Sequence, residues 1–448
     1  MKRFMIAAPE SGSGKTTLTC ALLMALKKRG LECAAFKCGP DYIDPMFHRK
    51  ALGVPSYNLD PILFGKEGTK YLLEKGMAGR DIGVLEGVMG YYDGIGMGDE
   101  GSTYSVAKLT GTPVIALIDC RKSGRSAVTK LLGLRSYRED SNIQGVIFNR
   151  LSKKLWEGMK KEAESLGVKC CGFIPEDPAM KLESRHLGLI TPDEIADLAP
   201  KLERLSDLTG SIDFGAILDI ASIAPEITSK RKPPLRGFEG VKIGVAMDEA
   251  FCFYYASDLE LLESMGASIL YFSPLRDERL PEDISGLILG GGYPEVHAEK
   301  LADNSSMRES VKAAVLSGLP VIAQCGGFMY LHDHIEKAEG GRYPMAGVIK
   351  GECSFTPALK HFGYQTLTSQ SDNLLFEKGE SYPAHEFHRS VSDADQKACI
   401  AEAKGEKWEC CVAGPTMFAG YSHLGFLYDI KTAERFLKAC STYSQRQQ

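Results

Sequence analysis

Short apolar runs alternate with amphipathic stretches along almost the whole of this chain, and the alternation is broken once. In the first half Phe4–Ala8 leads into Lys15–Arg29. Cys33–Lys37, Ile82–Leu85, Pro113–Ile118 and Gly145–Phe148 follow, with helical material between them. Runs this short, apolar on both faces and separated by helices, bury themselves best as parallel strands with helices packed on either side. Between Thr191 and Ser222 the pattern turns helical, with Thr191 and Pro192 as an N-cap and first-turn pair. The break is SKRKPPLRGFEG, Ser229–Gly240, a basic stretch with prolines, glycines and no periodicity. A second alternation begins at Val241–Ala246, continues through Ile269–Phe272, Gly286–Leu289 and Pro320–Ala323, and closes on a helix near Lys431–Cys440. A chain of 448 residues exceeds one ordinary core. The expectation is α/β throughout: a parallel-sheet domain over 1–225, a linker over 226–240 and a second α/β domain over 241–448.

The sequence APESGSGKTT, Ala8–Thr17, lies between the first strand and the first helix. Glycines there let backbone N–H groups turn inward around phosphate oxygens, and the helix N-terminus adds partial positive charge. Ser11, Gly12, Ser13, Gly14, Lys15, Thr16 and Thr17 are the expected ATP-binding residues. Lys15 would reach the β- and γ-phosphates and the Thr16 hydroxyl would bind Mg²⁺. Pro9 stands where the commonest form of the motif has its first glycine, leaving the tighter SGSGKTT form. ATP-driven partition and septum-positioning switches carry a second lysine five residues before the loop lysine; Glu10 holds that position here, which argues for a metabolic enzyme. The metal also needs carboxylates at strand ends, and Glu86 and Asp41 follow the strands Ile82–Leu85 and Cys33–Lys37. Asn149, after the strand ending at Phe148, suits either the adenine edge or a simple turn.

Composition excludes several classes. A net charge of -5 gives no reason to expect nucleic acid or an anionic membrane as partner. No apolar stretch approaches the ~18 residues of a spanning helix. The start MKRFMIAAPES fits a first strand better than a secretory leader. Thirteen cysteines, an odd number with no CxxC, suit reduced thiols in a cytoplasmic protein and no structural zinc site. An assembly of two copies is compatible with all of this. One cysteine stands apart. In AQCGGFMYL, Ala323–Leu331, Cys325 ends an apolar run and two glycines follow it, a pair that a strand end tolerates only where the backbone turns sharply or something approaches closely.

With these pieces placed, the chain resembles the cobyrinic acid a,c-diamide synthases, ATP- and glutamine-dependent ligases of cobalamin biosynthesis. The resemblance runs from about Met1 to about Phe426 and rests on motifs in family order. They are SGSGKTT, KCGPDYIDPMFH (Lys37–His48), LEGVMGYYDG (Leu85–Gly94), RHLGL (Arg185–Leu189), AFCFYY (Ala250–Tyr255), FSPLRD (Phe272–Asp277), LGGGYPE (Leu289–Glu295), CGGFMYL, HEFHRS (His385–Ser390) and GYSHLG (Gly420–Gly425). It implies a dethiobiotin-synthetase-like P-loop domain joined to a class I glutamine amidotransferase-like domain. The family commonly has Glu where this chain has Gln324, and often a second histidine where this chain has Gly425.

The resemblance implies that glutamine is hydrolysed at Cys325, with His423 as base. A strand-to-helix elbow would raise the thiol above the sheet, and the following N–H groups and helix dipole would favour thiolate. Gly326 and the run Gly290–Gly292, with Gly291 and Gly292 foremost, would supply oxyanion donors. Many class I glutaminases carry a glutamate two residues after this histidine; Gly425 stands there, so the triad reduces to a dyad. His385 and His388 are read as part of a loop bordering the glutamine or corrin site, with no chemical role. The implied substrate is cobyrinic acid, amidated on its c and a side-chain carboxylates, with Lys37, Arg185 and His186 as basic groups near it. Nickel-sirohydrochlorin and hydrogenobyrinic acid remain alternative substrates for the same reaction. A non-catalytic ATP switch is the rival from another class.

Overall fold

The apolar runs of the first alternation are buried parallel strands in the computed structural model, which describes residues 1–177, 184–185, 188–189, 195, 198–231, 234 and 236–447. The strands are β1 (Arg3–Ala7), β2 (Cys33–Cys38), β3 (Ser56–Leu59), β4 (Ile82–Glu86), β5 (Val114–Asp119), β6 (Ile143–Asn149) and β7 (Lys169–Ile174). They form one sheet in the order β3-β2-β4-β1-β5-β6-β7, and every pairing is parallel. Such a sheet brings all its carboxyl ends to one edge, where ligands of open α/β folds collect. The outermost strands β3 (SYNL) and β7 (KCCGFI) are the ones the apolar pattern passes over, because polar or small residues interrupt them. Helices Leu198–Asp207 and Phe214–Ser222 fill part of the region read as helical; Thr191 and Pro192 lie outside the described residues. Two short antiparallel strands, β8 (Ser184–Arg185) and β9 (Gly188–Leu189), precede them.

The chain divides into two units, Met1–Arg231 and Lys232–Gln448. The segment expected as a linker is tied down at both ends. Ser229 and Lys230 donate backbone N–H groups to the Glu74 and Glu67 carboxylates, at 2.9 and 2.7 Å. Gly237 and Phe238 donate to the Met265 carbonyl, each at 3.1 Å.

The second unit opens with β10 (Lys242–Ala246), β11 (Ser268–Phe272), β12 (Gly286–Leu289) and β13 (Val321–Gln324), all in parallel pairings. It then departs from simple alternation. β14 (His332–Glu336), β15 (Arg342–Pro344), β16 (Ile349–Ser369), β17 (Ser381–Ser392), β18 (Cys399–Ala403) and β19 (Glu406–Cys410) build a separate sheet in the order β15-β14-β16-β18-β19, with β17 antiparallel along β16. HEFHRS is therefore the middle of a strand and not a loop. Its polar residues are buried on β17 because they bond to one another, so it lacks the apolar signature that marks other buried strands. The chain returns through β20 (Val412–Gly414) and β21 (Met417–Gly420) to the first sheet of this unit, giving the order β11-β10-β12-β13-β21-β20. The last helix runs Lys431–Gln447, beyond its expected end, with Phe436, Leu437 and Cys440 buried.

All thirteen cysteines are free and buried. Among the described residues no helix is long and apolar enough to cross a membrane.

The glycine pair of AQCGGFMYL opens the helix Gly326–Leu331, which packs against the end of β12. Gly327 donates its N–H to the Gly290 carbonyl at 2.8 Å. A Cβ on Gly327 would stand 2.1 Å from the Leu289 carbonyl oxygen, a backbone atom of a buried strand that cannot swing aside. Replacing Gly327 with Ala is expected to destabilise the protein by roughly 3 kcal/mol, the upper end of ordinary overpacking. A lowered urea midpoint at unchanged slope would register this; an unchanged midpoint would contradict the packing.

Candidate active sites

In the first unit, the loop between β1 and the helix Lys15–Lys28 curls on glycines. Gly12 and Gly14 have φ of 75° and 93°, a left-handed backbone that side chains resist. Gly14 is also the helix N-cap, and a Cβ there would come within 2.8 Å of the Asn149 amide nitrogen. That nitrogen donates to the Ser13 carbonyl at 2.8 Å, so Asn149 braces the loop from the end of β6. Ser11 and Gly12 are exposed, whereas Ser13, Lys15 and Thr17 are buried. The Lys15 ammonium donates to the Met89 carbonyl at 2.6 Å and the Glu10 carbonyl at 3.2 Å. Burial, with Lys37 nearby, lowers its pKa to about 8.

Behind the loop, a buried charge cluster gathers the ends of β2 and β4. The Thr16 hydroxyl lies 2.6 Å from Glu86 Oε1 and 3.1 Å from Asp44 Oδ2. Lys37 Nζ donates to the same Glu86 oxygen at 2.9 Å and to Asp44. Burial alone would strip the proton from Lys37, but Asp44, Glu86 and Asp41 hold it on and push its pKa well up. Burial also acts to raise both acids. In Glu86 the attraction of Lys37 and His48 overcomes it and keeps the carboxylate ionised; in Asp44 the repulsion of Asp41 and Glu86 adds to it.

Asp41, expected beside the phosphate loop, sits one step outside. Its Oδ1 accepts the N–H groups of Ile43 and Asp44 at 2.8 and 3.2 Å, and its Oδ2 is 3.8 Å from Lys37 Nζ. Asp41 folds the turn and Asp44 reaches the site. The sequence carries a signal for this in its two acids three residues apart, the first placed as an Asx turn would need it. Asp93, also passed over, accepts the Gly90 N–H at 3.0 Å and adds a negative field at Lys15. Arg185 lies in β8, and His186 is outside the described residues.

In the second unit Cys325 has φ 49° and ψ -102°, between β13 and the helix Gly326–Leu331. A non-glycine residue rarely holds this conformation, and such strain is typical of a nucleophile lifted at a strand-to-helix turn. β21 runs parallel to β13 with Gly420 opposite Gln324, so Cys325 and His423 follow the same end of neighbouring strands. Gly291 lies against His423: a Cβ there would be 2.7 Å from His423 Cε1. The Gly292 nitrogen would be 3.1 Å from a Cβ on Gly326, the residue after Cys325, so the glycine run after β12 packs against the start of the helix Gly326–Leu331. Gly292 has no room for a side chain either, since the Ala250 carbonyl oxygen would lie 2.1 Å from its Cβ.

His423 is held by a strand that sequence reading assigned no part. His385 of β17 and His423 exchange both backbone hydrogen bonds, at 3.0 and 2.9 Å, which puts their side chains on one face. The neighbouring pair is Glu386 and Ser422. Glu386 Oε1 accepts from Ser422 at 2.8 Å and from Gln365 at 2.7 Å, and its Oε2 faces His388 Nε2 at 3.3 Å. Burial works against the Glu386 charge, but His388, Gln365 and Ser422 keep its pKa low. His388 lies flat on Tyr421, with ring centroids 3.8 Å apart.

The expected thiolate is absent from this resting arrangement. Burial pushes the Cys325 thiol well up, Glu295 and Glu386 push the same way, and the Gly326 N–H is too small a counterweight. Burial, with His385 and His388 nearby, lowers the His423 pKa to about 3. The resting pair is a neutral thiol and a neutral imidazole, which can act as proton acceptor.

Comparison with known proteins matches both halves. Residues 4–190 match the CobQ/CobB/MinD/ParA nucleotide binding domain, and residues 242–429 the CobB/CobQ-like glutamine amidotransferase domain. The chain is 39% identical over 450 residues to the cobyrinate a,c-diamide synthase of Caldanaerobacter subterraneus subsp. tengcongensis, covering 99% of each. It belongs to the cobyrinate a,c-diamide synthase family. The namesake from Thermoplasma volcanium is 38% identical over 100% of this chain and 99% of its own length. That from Listeria innocua is 39% identical over 95% and 96%. Family membership accounts for both constellations on one chain: a nucleotide-binding unit and a glutamine amidotransferase unit.

Two titrations follow from these environments. Lys15 loses its proton as pH rises through about 8 in the free protein, whereas a bound phosphate favours the ammonium. Binding of metal-free ATP at pH 8.5 to 9 is therefore expected to take up a proton. Calorimetry in buffers of different ionisation enthalpy reads this directly, and release of a proton would refute it. His385 and His423 have folded pKa values of about 4 and 3 against 6.5 for free histidine. Below 6.5 the unfolded chain binds protons that the folded one refuses. The stability they contribute is intact above 6.5 and falls by up to about 1.4 kcal/mol per pH unit per group as pH drops toward 4. His385→Gln is expected to flatten part of that slope in urea melts; an unaltered slope would contradict the burial argument.

Proposed function

We propose that this protein uses ATP and glutamine to convert the a and c side-chain carboxylates of cobyrinic acid into amides, in cobalamin biosynthesis. The observation that carries the proposal is the full-length match to cobyrinate a,c-diamide synthases, together with a nucleotide loop and a strained cysteine elbow on the same chain.

A carboxylate does not exchange oxygen for ammonia unaided, because oxide is too poor a leaving group. In the proposed reaction a substrate carboxylate attacks the γ-phosphorus of ATP, the bond to the bridging oxygen breaks, and ADP leaves. Ammonia then adds to the acyl phosphate, phosphate departs, and the extra proton leaves the nitrogen. Lys15 would neutralise the phosphates being transferred, whereas Lys37, expected near the substrate, is buried and paired with Asp44 and Glu86. Thr16, Asp44 and Glu86 would hold Mg²⁺. One hydroxyl and two carboxylates of hard oxygen suit an ion that takes a few protein ligands and completes its shell with phosphate and water. Among the described residues no closed cage of three His, Cys, Asp or Glu competes with this open arrangement. Bound there, Mg²⁺ would screen the charge on the transferring phosphoryl group.

At the second site His423 would take the Cys325 proton as sulfur attacks the glutamine carboxamide. The N–H groups of Gly292 and Gly326 would receive the oxyanion, and the imidazolium would protonate departing ammonia. Water then releases glutamate from the thioester. The buried neutral pair acquires charge only when glutamine brings an electrophile to the thiol.

Mass spectrometry of products formed from cobyrinic acid and from nickel-sirohydrochlorin, offered separately, tests the substrate, since each amidation steps the mass. Two steps on cobyrinic acid are expected; reaction with the nickel compound alone would move the protein to another tetrapyrrole. Cys325→Ala is expected to lower glutamine-dependent turnover by on the order of 10⁴ or more and to keep activity with added ammonium. Loss of both would refute the division of labour.

A further inference from the structure

The motif KCGPDYIDPMFH ends on a histidine that the reaction as described leaves unused. His48 lies in a single π-helical turn, Phe47–Ala51, directly after the short helix that carries Asp44. Its side chain and that of Glu86 are both fully buried, at 0% exposure. His48 Nε2 faces Glu86 Oε2 at 3.5 Å, longer than a good hydrogen bond, and neither atom has a hydrogen-bond partner among the described residues. The other Glu86 oxygen is the one directed at Thr16 and Lys37. On the far side of the ring, His48 Nδ1 is 3.0 Å from the buried Ser56 hydroxyl at the start of β3.

We propose that His48 is a positioning residue for the metal site, a reading that rests on the Mg²⁺ assignment above: it anchors Glu86 by one carboxylate oxygen so that the other points at Thr16. The order of donors supports this. Ser56 can donate its hydroxyl proton to Nδ1, which leaves Nε2 as the N–H facing the carboxylate. The opposite tautomer would set a bare nitrogen lone pair against a buried carboxylate oxygen, leaving both acceptors unsatisfied. A carboxylate fixed at one oxygen cannot rotate its other oxygen away from the cation. Partners that orient a ligand in this way typically govern metal affinity by ten- to a hundredfold.

The test is a Mn²⁺ titration of the ADP complex followed by electron paramagnetic resonance, on the full-length protein and two variants. His48→Met is expected to weaken Mn²⁺ binding ten- to a hundredfold. His48→Gln, whose amide can present a donor near the Nε2 position, should recover most of the loss. ADP affinity measured in EDTA should be the same in all three. Equal Mn²⁺ affinity in His48→Met would overturn the proposal, as would a His48→Gln protein as impaired as the Met variant. Failure of the unsubstituted protein to bind Mn²⁺ would overturn the metal assignment itself, whereas a different tetrapyrrole substrate would leave these titrations unchanged. If His48→Met does not fold, nitrogen-15 NMR of the unsubstituted protein decides. A proton on Nε2 supports the proposal, and one on Nδ1 alone ends it.

Discussion

Two carboxyl groups lie buried within reach of one hydroxyl, and an ammonium standing among them keeps one of the two ionised. Lys37 is that ammonium, and the first unit is arranged around it. β2 delivers Lys37, β4 delivers Glu86, and the first turn of the helix Lys15–Lys28 delivers Thr16 to the same edge of the sheet. Without the cation the cluster would shed its remaining charge by protonation. The cluster therefore keeps Glu86 ionised in a buried place, while burial and the repulsion of Asp41 and Glu86 favour the protonated form of Asp44.

The second unit solves a different problem with backbone. Its Cys325 thiol stands on a strained elbow, and glycines lie nearby where main chain passes closer than any side chain would allow. Gly291 admits the imidazole, Gly292 admits the Ala250 carbonyl, and Gly327 admits the end of β12. The same crowding that brings N–H groups to the thiol removes water from it. This is why the thiol and the imidazole rest neutral despite a helix N-terminus beside the sulfur.

Much of this was legible in the sequence where one residue type performs one task. Apolar runs announced the parallel strands, glycines with a lysine and a threonine announced the phosphate loop, and a cysteine before two glycines announced the elbow. What stayed hidden depends on side chains meeting across distant segments. Asp41 and Asp44 look interchangeable until the turn between them is built, and then one caps while the other reaches inward. β17 reads as polar because its histidines and glutamate are satisfied by Gln365, Ser422 and each other. The protonation of Cys325 could not be inferred from its neighbours in sequence, since burial by other strands outweighs the local helix. Asn149 reads equally well as a base contact or a turn; its amide is given to the Ser13 carbonyl.

His423 is carried by one sheet and paired through its backbone with another. His423 follows β21 of the parallel sheet, but its backbone partner is His385, deep in the long antiparallel strand β17. The register of that distant pairing thus sets which side chain stands beside His423. A slip of one residue would turn every side chain of β17 to its opposite face and bring Glu386 to the place of His385. A neutral ring would give way to a carboxylate next to the imidazole, and the Ser422 hydroxyl would lose its acceptor. The pairing of β16 with β17 runs in unbroken register from Gly363 opposite Glu386 to Thr368 opposite Ser381, and that stretch holds His385 in place opposite Tyr364.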